Sequence, residues 1–436
     1  MKRMFSLVLT LCLLLSAAPV ALSEGNATHI VLWHSMSENA GALLTSYIDT
    51  FNATIGAEKG ITVEAVFQGT YAESVQKMNS MLSTGTVADL PDVMQLDATG
   101  KTAYLTADCA YSVTRAMEEH PEIAETVAEM LPPALNNWNL AGTQLGLPFA
   151  TSTTLTYYNK TALDSVSAAA PDTLSDIADL APLFAGDGRI VYAALPNTPT
   201  LANWLGQLGS YLVNEKNGNE GNATQLDCLE NGALVAFLTQ WRALYQSGAL
   251  SNTAGSTDAF VAGQQLIMTG SSSNIASVLE KVGDSFEVGI APYPRVSQDA
   301  SYGASVNGSC LVMFDHADAS RKSAAWELVR YLTGKDIQSD FASRTGYLPS
   351  HMAASESEAW QALIAAQPAY DVGFAQLKNT PDAMRSVTVG PAADFYYSIQ
   401  NDISDFLEED MLPEEGAELM ADDLEGLLHQ YALANP

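Results

Sequence analysis

The chain has 436 residues, with 50 acidic side chains against 19 basic ones and a formal charge of -31. Such a surface repels nucleic acid and anionic lipid, which need basic patches, so neither is an expected partner. The length exceeds what one core fills and predicts two domains.

The N-terminus reads MKRMFSLVLTLCLLLSAAPVALSEG. Lys2 and Arg3 precede an apolar run over residues 5–15 that is too short to span a bilayer. Small residues at Ala21 and Ser23 complete a cleavable secretory signal over residues 1–23, with the mature chain starting at Glu24. Cleavage leaves 17 basic residues against 50 acidic ones. Cys12 has Leu11 before it, where lipidation needs a small residue, so no lipid anchor is expected there. The mature protein is expected to be soluble and periplasmic, with the cell surface or secretion as the alternative.

HIVLWHSM (29–36) reads as a strand entering a loop. Leu43, Leu44, Tyr47, Ile48 and Phe51 then recur at helical spacing. GITVEAVFQG (60–69) is a second strand, YAESVQKMNSMLSTG (71–85) a helix ending at a glycine, and PDVMQLD (91–97) a third strand. This alternation predicts a doubly wound α/β start with parallel strands. Ligands in such sheets bind beyond the carboxyl ends of strands. The residues there are His34 to Met36, Gly69 to Tyr71 and Asp97 to Thr99.

GLPFATSTTLTYYNK (146–160) is rich in β-formers, and GALVAFLTQWRALYQSG (232–248) is helical. GQQLIMTGSSSNIASVLEKV (263–282) reads as strand, polar turn and helix, with Ser271 and Ser272 at the helix start, where free N–H groups bind anions or hydroxyls. FEVGIAPYPR (286–295) and GSCLVMF (308–314) are strands. Residues 323–346 form one long amphipathic helical region, and the acidic C-terminus is helical. In RTGYLPS (344–350), glycine and proline stiffen a loop that is expected to expose Tyr347, whose flat face and hydroxyl suit a ligand contact.

Motifs of catalysis are lacking. Gly100-Lys101-Thr102 ends like a phosphate-binding loop, but Gln95 stands where that loop needs its first glycine. TGSSSN lacks the closing glycine of GxSxG, and there is no HExxH. Cys109, Cys228 and Cys310 are far apart and form no CxxC, so they read as three buried thiols, with a single disulfide as the alternative. No metal or cofactor is expected. Acidic pairs of the glycosidase kind are too numerous by chance to carry meaning.

LWHSM, FQGTYAESVQKM, DVMQLDATG, LPFATSTTLTYYNK, QLIMTGSSSNI, EVGIAPYP and RTGYLPS, in that order, resemble the extracellular solute-binding proteins of ABC importers. The similarity runs to the carbohydrate-binding family, closest to its glycerol-3-phosphate branch and more distantly to maltose-binding proteins. It implies a periplasmic-binding-protein-like fold of two discontinuous doubly wound lobes around a ligand cleft. Lobe 1 would hold residues 24–111 and 291–340, and lobe 2 residues 112–290 and 341–436. The implied function is capture of a sugar, polyol or glycerol-3-phosphate-type ligand by a monomer that delivers it to membrane permease subunits. A secreted α/β hydrolase acting on carbohydrate, or a sensory binding protein without a transporter, are the alternatives.

Carried over by position, the resemblance implies ligand contacts at Tyr71, Asp97, Thr151, Ser152, Ser271, Ser272, Asn307, Gly308, Tyr347 and Tyr396. It also shows departures. Ala392 stands where the branch has an arginine, and Arg385 is the nearest replacement. Pro196 and Pro199 stand in the region of two tryptophans. Losing a bidentate phosphate partner would weaken binding of a phosphate monoester.

Overall fold

The structure is a computed structural model that describes residues 27–434. The expected signal segment and the mature start at Glu24 lie outside the described residues.

The strands in chain order are β1 (Thr28–His34), β2 (Ile61–Phe67), β3 (Val93–Leu96), β4 (Ala110–Tyr111), β5 (Asn139–Leu140), β6 (Thr143–Gln144), β7 (Leu147–Asn159), β8 (Ile190–Ala193), β9 (Leu250–Ser251), β10 (Gln265–Ser271), β11 (Val288–Ala291) and β12 (Val306–Phe314). The main sheet runs β2-β1-β3-β12-β7-β10-β8-β9, with β11 also on β7 and β4 on β12. The expected parallel start is present, since β1 pairs in parallel with both β2 and β3. β12 then runs antiparallel to β3 and β7.

β7 is the piece that divides the molecule. Its first half, from Leu147 to Thr153, pairs with β12. Its second half pairs with β10 on one edge and β11 on the other. One thirteen-residue strand therefore belongs to both ends of the sheet. Its threonine-rich, β-branched composition suits burial on both faces.

The core follows the same division. Ile30, Leu32, Phe51 and Met313 share a cluster with Val113, Ala116 and Ile123, and Trp33, Met94, Tyr104 and Trp138 form a second one beside it. At the other end, Trp204 lies 5.2 Å from Phe237, 5.0 Å from Trp241 and 5.2 Å from Tyr293 between ring centroids. Its indole N–H donates to Pro294 O at 3.2 Å. A Trp204→Ala substitution should cost about 3–5 kcal/mol, because it empties the centre of this aromatic group. Urea unfolding checks it: a midpoint unchanged from the parent would contradict the packing described.

Two local expectations change. The long helical region is two helices, Ala319–Thr333 and Lys335–Thr345, because Gly334 between them is extended (φ -68, ψ 159) and serves as an end for both. Cys109, Cys228 and Cys310 are all unpaired, but Cys109 is only half-buried.

Candidate functional site

A cavity of about 390 Å³ lies between the two core regions. That is within the size range of small-molecule sites, roughly 300–1,000 Å³. Five of the residues expected from the sequence line it: Tyr71, Asp97, Asn307, Gly308 and Tyr396.

Each is placed by local chemistry. Thr70 caps the helix Tyr71–Thr84 through a reciprocal capping box with Glu73, which fixes Tyr71 as the first helical residue beyond β2. The Tyr71 hydroxyl accepts from Gln95 Nε2 at 3.1 Å and donates to Ser309 Oγ at 3.3 Å. Gln95 is itself held by accepting from Ser35 N at 2.9 Å. Burial pushes the Tyr71 phenol above its ordinary range, so it stays neutral and keeps its proton for hydrogen bonding.

Asp97 follows β3 directly and starts the short turn Ala98–Gly100. Its carboxylate accepts from Thr99 Oγ1 at 2.6 Å. Burial raises its pKa, partly opposed by that bond and by backbone N–H groups of the turn. Asn307 sits on β12, with its Nδ2 donating to Thr154 Oγ1 at 3.3 Å. Gly308 has φ 106, and a Cβ there would fall 1.7 Å from Ala150 O. Tyr396 is on the helix Ala392–Glu408, and its hydroxyl accepts from Asn197 Nδ2 at 3.2 Å.

The other five expected residues are not in the lining. Thr151 and Ser152 are buried within β7, where Thr151 O accepts from Leu348 N at 2.7 Å. Ser272 is fully buried and its Oγ accepts from Thr153 N at 3.2 Å. It is consumed because β7 changes partner strands at that residue, which leaves the Thr153 amide in need of an acceptor. Ser271 closes on Ser273, Oγ to Oγ at 2.9 Å, and the α-helix begins only at Ile275. Tyr347 is half-buried rather than exposed, and it stacks on Phe341 at 5.3 Å with its hydroxyl toward Tyr71. It supports the site from behind.

The lining also holds residues that sequence reasoning missed: Asn137, Trp138, Thr198 and Ser305 among them. Arg385, Pro199 and Ala392, noted in the sequence only as departures, line it too. Three of these carry buried polar atoms with no partner in the protein: Asn137 Nδ2, Thr198 Oγ1 and Arg385 Nε. Arg385 spends Nη2 on two backbone carbonyls, Asn136 O at 3.1 Å and Asn139 O at 2.7 Å. It belongs to a strap, residues 379–391, that joins two helices across the cavity. The strap is held by a turn in which Glu215, Lys216 and Asn217 are all left-handed, with φ of 55, 50 and 61. Asn217 steadies that turn by accepting from Leu212 N at 2.7 Å and grips the strap by donating to Arg385 O at 3.0 Å. Among the described residues no group of three or more His, Cys, Asp and Glu side chains is placed to hold a metal ion.

A family model described as bacterial extracellular solute-binding protein matches residues 46–368, more than half of the chain. The chain belongs to this family. This solute-binding protein is 25% identical over 384 residues to the sn-glycerol-3-phosphate-binding periplasmic protein UgpB of Yersinia pseudotuberculosis serotype I (strain IP32953), covering 86% of this chain and 85% of the relative. It is 24% identical over 363 residues to UgpB of Escherichia coli O1:K1 / APEC, covering 81% of each. Its fold matches that of UgpB from Mycobacterium tuberculosis in complex with glycerophosphocholine, at a TM-score of 0.73 and 18% identity over 93% of this chain and 99% of that one. It also matches the sugar-binding protein MalE from Xanthomonas citri, at a TM-score of 0.72 and 17% identity over 94% and 100%. The expected two-lobed α/β architecture is therefore the one observed. This solute-binding protein is the exported, periplasmic binding component of an ABC importer. The family and these relatives are binding proteins rather than enzymes.

Proposed function

We propose that this protein captures a small, hydroxyl-rich solute, a sugar, polyol or glycerophosphate, in the cavity between its lobes and passes it to its permease as a monomer. The observation that carries this reading is that three residues of the lining carry buried polar atoms without a partner, Asn137 Nδ2, Thr198 Oγ1 and Arg385 Nε. A buried polar atom left without a partner costs about 1–3 kcal/mol, and ligand oxygens would supply the missing bonds. Tyr71, Trp138 and Tyr396 offer the aromatic faces that suit the C–H side of such a ligand. Asp97 accepts from its hydroxyls, and Arg385 is the guanidinium for an anionic group. The named ligands of the relatives, glycerol-3-phosphate, glycerophosphocholine and sugar, are of this class. No bond is made or broken. The hydrolase and sensor readings are not favoured by the family.

The lobes are proposed to follow the core clusters. Val113, Ala116 and Ile123 share a core with Leu32 and Met313, which favours residues 112–146 as part of the first lobe. Tyr293, Val296 and Ala300 share a core with Trp204, which favours residues 291–305 as part of the second. The chain then crosses in β7, in β12 and near Tyr347. Ligand touching both lobes stabilises the closed arrangement over the open one.

A thermal-shift panel tests the function. It holds sn-glycerol-3-phosphate, glycerophosphocholine, maltose and simple polyols. A ligand at a hundred times its dissociation constant adds about 2.7 kcal/mol, a rise of a few degrees. Asp97→Asn should weaken the best ligand by about tenfold or more, since it replaces a charged acceptor with an amide. No shift with any member would sink the ligand class. An affinity unchanged in Asp97→Asn would remove that carboxylate from the site.

A further inference from the structure

Lys101 is fully buried, directly behind the cavity lining. It stands on the helix Lys101–Leu105, next to the core that holds Tyr104 and Trp138. Its Nζ donates to Asn137 O at 3.0 Å, to Asn219 Oδ1 at 3.3 Å and to Ser386 Oγ at 3.0 Å. Asn137 lies on the same side as Lys101. Asn219 follows the left-handed turn beyond Leu212 and Val213, which belong to the Trp204 core, and Ser386 is on the strap. Three donors therefore meet three acceptors across the line where the halves join. All three acceptors are neutral.

The same seam carries Ala141 N to Asn219 O at 2.7 Å and Ser386 Oγ to Asn137 Oδ1 at 2.9 Å. Opening the cleft along it would return Lys101 to water.

We propose that Lys101 is a positioning residue that acts as a brake on closure: the halves meet over its amine only when it sheds its proton or when the occupant of the cavity brings negative charge. The proposal rests on the lobe closure argued above. Its physical basis is that an enclosed ammonium with no carboxylate among its hydrogen-bond partners loses its hydration and gains three neutral acceptors and the Trp138 ring, 5.9 Å away, in return.

The charged and titratable groups around Lys101 come from each neighbouring element. Asp97, on the turn before its helix, favours the ammonium, while Arg385 on the strap opposes it. Cys310 on β12 is a thiol whose pKa is pushed up by burial, so it stays neutral. On the left-handed turn, Lys216 pairs with Glu220. Burial is the largest influence and Arg385 the second, and together they bring the Lys101 pKa down to about 7 in the closed form. In an open form the solvated amine would return to about 10.4. Closure then releases a proton between these values, so the closed form gains as pH rises and loses as pH falls toward 7.

The experiment is small-angle scattering on the ligand-free, full mature chain at pH 6 and pH 9. The closing equilibrium should shift by about a hundredfold toward the compact form at pH 9, seen as a smaller radius of gyration. Lys101→Met should show the same radius at both values. Ser386→Asp should stay compact at both, because a carboxylate beside Nζ compensates the ammonium, and it serves should the methionine variant not fold. A wild-type radius that does not change with pH overturns the proposal, as does a change that survives in Lys101→Met. The ligand reading fails separately: a silent thermal-shift panel with a pH-dependent radius retains the brake and removes the ligand class.

Discussion

Gly308→Ala should destabilise the protein by about 2–6 kcal/mol and abolish tight ligand binding with it. The expected loss has two sources. The backbone there sits at φ 106, which side chains other than hydrogen rarely tolerate, a strain of about 1–3 kcal/mol. The added methyl would also lie 1.7 Å from Ala150 O and 2.9 Å from its carbonyl carbon, both backbone atoms that cannot swing aside. Relief requires β7 and β12 to part, at an overpacking cost of about 1–3 kcal/mol. These are the strands that cross between the two cores, so the distortion reaches both halves as well as the cavity wall. Urea unfolding with and without ligand measures it. A change below about 0.5 kcal/mol, the scale of neutral surface substitutions, would show that the crossing strands separate freely and that the close approach is not needed.

Arg385→Ala should weaken sn-glycerol-3-phosphate by about 2–5 kcal/mol, some thirtyfold or more, while a neutral sugar loses clearly less. Arg385 brings a guanidinium into the lining, and its Nε is buried with no partner. An anionic ligand would gain a charge-assisted bond from it. The same side chain ties the strap to the end of the helix Pro132–Asn136 and to Asn139 on β5, so some loss is expected for any ligand. Calorimetry with both ligand types separates the two roles. Equal losses would make Arg385 a clamp for the strap and not an anion partner. Unchanged affinity for both would remove it from the site altogether. Arg385→Lys keeps the charge but not the fork of donors, and should recover only part of the difference.

Much of the site's front wall was legible because its residues are set by neighbours close in sequence. Tyr71 follows from a strand end and a capping box within three residues. Asp97 follows from its place at the end of a buried strand. The back and roof were not legible. Ser386, next to Arg385, meets Asn137 across 249 residues, and Thr198 joins them from a helix start elsewhere. Nothing in LNNWNL or PDAMRS marks those residues as partners. The serines of TGSSSN show the converse. Their helix-start reading is locally sound, but Ser272 serves the amide of Thr153, which β7 leaves unpaired where it changes neighbours.

The sequence by itself determined the rhythm of strands and helices, the parallel start of the sheet and the motifs of the family resemblance; that resemblance in turn implied Tyr71, Asp97, Asn307, Gly308 and Tyr396, which line the cavity. The rhythm and the motifs depend on side-chain periodicity, caps and turns, all of which act over a few residues. Only the tertiary structure decided which polar groups are free for a ligand, that the strap brings Arg385 into the lining, and that Lys101 is enclosed where the halves meet. Those are matters of burial and of hydrogen bonds between distant segments. A lysine after a glycine reads the same in sequence whether water or protein surrounds its amine, and the cost of desolvation exists only once the chain has folded around it.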